Sequence, residues 1–99
     1  MRVRFHRLVQ RDVDSALNHY AQEAGEQIAE AFFGAFEEIV GRALENPLRF
    51  HPWDSRLRRA NMKRFPFHIL YEKKSFGIYV WVCRHNKRHP HFGMGRLRR

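Results

Sequence analysis

At 99 residues the chain has room for one hydrophobic core, so residues 1–99 are read as a single domain. Hydrophobic residues make up 43%, with nine Phe, two Trp and three Tyr, enough large rings to hold a small core without disulfide or metal staples. A single cysteine excludes an internal disulfide, and no apolar run approaches the roughly 18–20 residues that cross a bilayer. The net charge of +9 is held on one side: residues 1–48 carry five Arg against eight Asp or Glu, whereas residues 49–99 carry ten Arg and four Lys against Asp54 and Glu72. A basic half of that strength attracts polyanions, either nucleic acid or an acidic protein.

The opening MRVRFHRLVQ is too broken by charge for a secretion signal, so the expected location is the cytoplasm. Within it Val3, Phe5, Arg7 and Val9 alternate with Arg4, His6 and Leu8, which predicts a strand. Asp12 is then placed to cap a helix, supported by Asp14. Val13, Ala16, Leu17, Tyr20, Ala21 and Ala24 share one helical face, and Gly25 marks the reversal. Ile28, Ala31, Phe32, Ala35, Phe36, Ile39, Val40, Ala43 and Leu44 keep the 3.6 spacing until Asn46-Pro47 stops the second helix, giving an αα-hairpin.

Residues 48–58 show neither period and read as a loop, with a short strand within Arg56–Met62. In KRFPFHILY, residues 63–71, the side chains of Phe65, Phe67, Ile69 and Tyr71 share one face, while Arg64, His68, Leu70 and Glu72 share the other. Pro66 belongs at an edge, a bulge or a strand start. After Lys73-Lys74-Ser75, Ile78, Val80, Val82 and Arg84 alternate with Tyr79, Trp81, Cys83 and His85, a strand apolar on both faces and therefore central. The fold class is α+β: an N-terminal strand, an αα-hairpin, then a mostly antiparallel sheet of three further strands.

No glycine-rich phosphate loop and no metal-ligand spacing occurs. His85, His89 and His91 are crowded by arginines rather than carboxylates, so neither metal nor cofactor is expected. The remaining chemistry is cationic. Arg64 and His68 lie on one face of a strand, expected outward, while Arg84, His85, Lys87 and Arg88 emerge where the next strand ends. His68, His85 and Arg88 are the candidates for proton transfer and charge stabilisation at a phosphodiester. Lys63, Arg64, Arg84 and Lys87 are the candidates for binding nucleic acid or another target. A non-catalytic nucleic-acid-binding module fits the same residues.

Three segments carry a resemblance: the helix end ALENP (residues 43–47), RFPFHILY (residues 64–71) and HNKRHP (residues 85–90). With the element order, they resemble the RelE/ParE superfamily of toxins from bacterial type II toxin–antitoxin pairs. The resemblance implies a growth-arresting toxin neutralised by an acidic, partly disordered antitoxin. It offers two targets: DNA gyrase in ParE-like members, and mRNA in the ribosome, cut by RelE-like members. RelE-like proteins tend to carry an arginine where His68 stands, a second arginine where Arg88 stands, and a tyrosine near His91 and Phe92. That missing tyrosine and the long αα-hairpin lean toward the ParE-like branch, with the ribosome-dependent endoribonuclease as the alternative.

Overall fold

The computed structural model describes residues 1–97; Arg98 and Arg99, counted above in the basic half, lie outside the described residues. The elements are β1 (Arg2–Phe5), α1 (Val9–Ala24), α2 (Glu26–Glu45), β2 (His51–Pro52), β3 (Arg58–Asn61), β4 (Phe67–Lys74), β5 (Gly77–His85) and a short 3₁₀ helix (Met94–Leu97). The five strands form one sheet in the order β1-β5-β4-β3-β2. The α+β class and the hairpin agree with the sequence reading. The sheet is mixed rather than purely antiparallel, because β1 runs parallel to β5, a geometry the two intervening helices make reachable.

The first strand is shorter than its alternation predicts. It ends at Phe5, and Val9 starts the apolar stripe of α1, burying itself with Val13 and Ala16. Asp12 is therefore inside the first turn and not the cap: Leu8 holds that position with no side-chain cap. Gly25, at φ 97°, ends α1 and starts α2, a conformation that suits glycine. The segment read as a loop contains the two-residue β2, which pairs with β3.

Helices pack on one face of the sheet. Phe32, Phe36, Ile39 and Ala43 of α2 meet Ile69, Tyr71, Ile78, Val80 and Cys83 from the central strands. Aromatic edges join the layers: Phe32 lies 4.9 Å from Phe67 and 5.4 Å from Phe65, centroid to centroid, both T-shaped. The Tyr71 hydroxyl donates to the Pro47 carbonyl at 2.6 Å, tying β4 to the end of α2.

The opposite face has its own cover. Leu57, Leu70, Trp81 and Val82 form a second cluster, overlaid by Trp53, Tyr79, Phe92, Met94 and Leu97. A bulge makes this possible. Leu70 pairs with Val82 but Tyr71 pairs with Val80, so Trp81 is one residue too many. Ile78 and Val80 face the helices before it, and Cys83 does so after it, while Trp81, Val82 and Arg84 face away. The expected grouping of Val82 and Arg84 with Ile78 and Val80 is thereby corrected.

Two arginines bolt the C-terminal segment over that face. Arg84 donates to the Pro90 and Phe92 carbonyls at 2.8 and 2.9 Å. Arg96 forks onto Asp12, Nη1 to Oδ2 at 2.7 Å and Nη2 to Oδ1 at 2.8 Å, and Nη1 also reaches the Trp81 carbonyl at 2.9 Å. Asp12 Oδ2 accepts the Cys83 N–H as well, at 3.0 Å, so β5's backbone finds partners where β1 no longer covers it. Gly93, at φ 84°, lets the chain pass over Val82, whose methyl a Cβ would meet at 2.7 Å.

The Asp12 carboxylate is only 3% exposed, so removing its cation leaves a buried charge. Arg96→Ala is expected to lower unfolding free energy by about 3–5 kcal/mol, measured by urea denaturation. The Asp12→Ala/Arg96→Ala double variant should lose clearly less than the sum of the single losses; simple additivity would show that the pair is not coupled.

Candidate functional site

The last turn of β5 is where the cations gather. Phe67 opens β4 opposite His85, and the Asn86 N–H donates to the Pro66 carbonyl at 2.8 Å, so the strand ends are locked together. Pro66 thus sits at the strand start, where its missing N–H costs no ladder bond. His85 Nδ1 accepts the Lys87 N–H at 3.0 Å, and the Arg88 N–H donates to the His85 carbonyl at 2.9 Å. This turn lifts His85, Lys87 and Arg88 toward α1.

An open cleft of about 600 Å³ lies between them. Its α1 wall carries Arg11, Ser15 and His19, spaced four residues apart and therefore on one helical stripe. Its other wall carries His85, Lys87 and Arg88, and Phe67, Cys83 and Phe92 contribute apolar surface. The Arg88 guanidinium lies 4.1 Å from the Phe92 ring centroid, which restricts its orientation. Among the described residues the ion pairs are Arg56–Glu72, Lys74–Glu72 and Arg96–Asp12. Arg11, Lys87 and Arg88 thus have no carboxylate of a described residue at ion-pair distance, and the acid lining the cleft, Asp12, is already neutralised from within.

His68 is not outward-facing: it is 1% exposed, and Arg84 beside it is 3% exposed. The C-terminal segment covers both. Asn86 Oδ1 can only accept, so His68 Nδ1 carries the proton and bonds it at 2.8 Å; Nε2 then accepts from Arg84 Nε at 3.0 Å. Burial pushes the imidazole down to about 4, against the opposing pull of the Asn86 bond. His68 is neutral at pH 7 with both ring nitrogens occupied, and so neither gives nor takes a proton there. Arg84 gives Nε to His68 and Nη1 to two carbonyls, and its planar group lies 4.9 Å from the Trp53 ring centroid. Burial, then Arg59, lowers its pKa.

Of the residues singled out from sequence, Arg84, His85, Lys87 and Arg88 border one cleft, with His68 sealed behind it. Lys63 and Arg64 stand exposed in the β3–β4 turn at the same end of the sheet, outside the cleft. Arg64 takes φ 71° and rests against the Phe65 ring at 5.3 Å. His89 and His91 stack at 5.1 Å, and no group of three or more metal-ligating side chains converges among the described residues. The α1 stripe escaped sequence reading because only docking against β5 reveals its use.

A family model described as "ParE toxin of type II toxin-antitoxin system, parDE" matches residues 3–90. The chain belongs to the ParE toxin family. A solved structure from the chromosomal ParDE toxin–antitoxin system of P. aeruginosa shares the fold, with a TM-score of 0.75 at 19% identity, over 86% of this chain and 95% of that one. No curated sequence is significantly similar to the chain. The ParE family match ends at Pro90, so Phe92 and Arg96, which close the cleft, lie beyond it. No helix among the described residues is long and apolar enough to cross a membrane.

The buried His68 gives a pH signature. Unfolded, the imidazole takes a proton below its ordinary value of 6.5; folded, it resists until about 4. Stability from this residue is therefore complete above about pH 6.5 and falls through the window down to pH 4, by roughly 3 kcal/mol at most. Urea unfolding of wild type and His68→Gln between pH 7 and 4 should show a shallower pH slope in the variant; equal slopes would contradict the sealed, neutral ring.

Proposed function

We propose that this ParE-family chain is a cytoplasmic toxin that arrests growth by acting on DNA gyrase, and that an acidic antitoxin neutralises it. The observation that carries the reading is the state of His68. A nuclease working from this sheet needs an acid and a base exposed to substrate. Here the strand histidine is sealed and neutral, and Phe92, near the expected tyrosine, has no proton to give. Surplus fixed charge, with the strand histidine withdrawn from proton transfer, suits a toxin that works by occupying a macromolecular target.

An acidic antitoxin follows from the same surplus. Among the described residues Arg11, Lys87 and Arg88 have no carboxylate partner, and a segment that folds on binding lays negative charge along such a surface. Ribosome-dependent mRNA cleavage is the second reading, favoured by one observation: His19 and His85 border the same cleft as Arg88.

Induced expression and a purified assay separate the two. DNA breaks, filamentation and an SOS response in cells, with linear plasmid accumulating when the protein meets gyrase, are the expected results. Arg88→Ala should reduce the effect about tenfold or more, the loss of roughly one charged contact. Cuts inside mRNA codons with gyrase unaffected would replace this reading with the nuclease.

A further inference from the structure

Among the described residues the exposed large apolar side chains are Met1, Phe5, Phe33 and Leu48, and two of them stand together: Phe5 is 45% and Phe33 41% exposed. Each lies 6.2 Å, centroid to centroid, from the Phe36 ring, so the three form one patch where β1 meets α2. Between Phe5 and Phe33 opens a hollow of about 500 Å³, lined also by the buried Val9, Val13 and Phe36. Phe33 borders a second, smaller hollow with Leu17, Ala21 and Ala29, and so stands as a ridge between two recesses. No residue of the larger hollow lines the basic cleft.

The rims of the patch differ in sign. Arg2, Arg4 and Arg7 stand exposed on and just after β1, while Glu30 and Glu37, one turn either side of Phe33, stand exposed on α2. None of these five is ion-paired with a described residue. A basic rim, an apolar hollow between two rings and an acidic rim make a surface that complements itself when turned about a two-fold axis.

We propose that this face seats a second copy of the chain, in a symmetric dimer that sets Phe33 of each protomer in the hollow between Phe5 and Phe33 of the other. β1 of one copy then lies along α2 of its partner, with Arg7 over Glu30 and Glu37 of the partner subunit. Direct pairing of the two β1 edges is disfavoured, because Arg2 and Arg4 would oppose one another across the ladder. An acidic segment is the competing occupant, but Asp14 in the hollow and the two glutamates beside Phe33 repel it, whereas the basic cleft attracts it. The dimer uses none of the cleft's lining, so the inference is independent of which target the protein acts on.

Sedimentation equilibrium of the full chain from about 1 to 200 μM spans the affinity of a patch smaller than a standard interface. The average mass should rise from the 12.0 kDa of one chain toward twice that value. Phe33→Ser should weaken association at least about tenfold, with circular dichroism unchanged because the ring lies outside the buried core. Leu48→Ser, at an exposed apolar side chain elsewhere, should leave association as it is. Arg7→Glu should weaken it about tenfold, as two symmetric contacts between exposed charges allow. Glu30→Lys/Glu37→Lys added to the same chain should restore it. A mass of one chain throughout, or equal weakening by Leu48→Ser, would overturn the proposal. So would failure of the charge exchange to restore association. Dissolution of the dimer by a poly-glutamate peptide would assign the face to an acidic segment instead and overturn it as well.

Discussion

One buried carboxylate holds the cleft end of the molecule together. Asp12 takes both forks of Arg96 and the amide of Cys83, so α1, the exposed flank of β5 and the C-terminal segment meet at a single side chain. A lone carboxylate at that depth would be costly; three charge-assisted bonds make it tolerable. Because the pair is satisfied internally, Asp12 offers nothing to the unpaired cations around it. The cleft keeps its positive character for that reason.

The bulge at Trp81 is the second constraint. It turns Val82 and Arg84 to the side covered by the C-terminal segment, where Arg84 meets His68 and fastens the Pro90 and Phe92 carbonyls. Without that extra residue Arg84 would point among the helix-packing side chains. Buried and exposed cations thus differ in what they do: Arg84 and Arg96 hold the segment in place, while Arg11, Lys87 and Arg88 stand exposed at the cleft with no carboxylate partner among the described residues. Burial also pushes the Cys83 thiol well above its ordinary value, with Asp12 adding to the effect, so it is a packing group rather than a nucleophile.

Much of this was legible before the structure. The helices declare themselves because Phe32, Phe36, Ile39 and Ala43 repeat at 3.6 residues over several turns, and β4 because Phe67, Ile69 and Tyr71 alternate cleanly. The boundary between β1 and α1 is ambiguous in the sequence because Val9 satisfies both periods, and β2 leaves no signal because two residues have no period. His68 was expected outside because its cover, residues 86–97, has no pattern of its own. One clue existed: β5 is apolar on both faces, which demands a second layer. A bulge leaves no mark in an alternation, so the side taken by Arg84 was hidden. The cleft was half legible, since His85, Lys87 and Arg88 are contiguous in sequence while Arg11, Ser15 and His19 join them only through tertiary packing.

The most direct test is amide hydrogen exchange at Cys83, Phe92 and Met94 in wild type and Arg96→Ala. The account predicts protected amides in the wild type. In the variant, exchange at these three positions should rise at least about tenfold while Ile69, in the central strands, stays protected. Unchanged exchange at all three would mean that the Asp12–Arg96 pair does not hold the segment, and the fixed cleft would lose its physical basis.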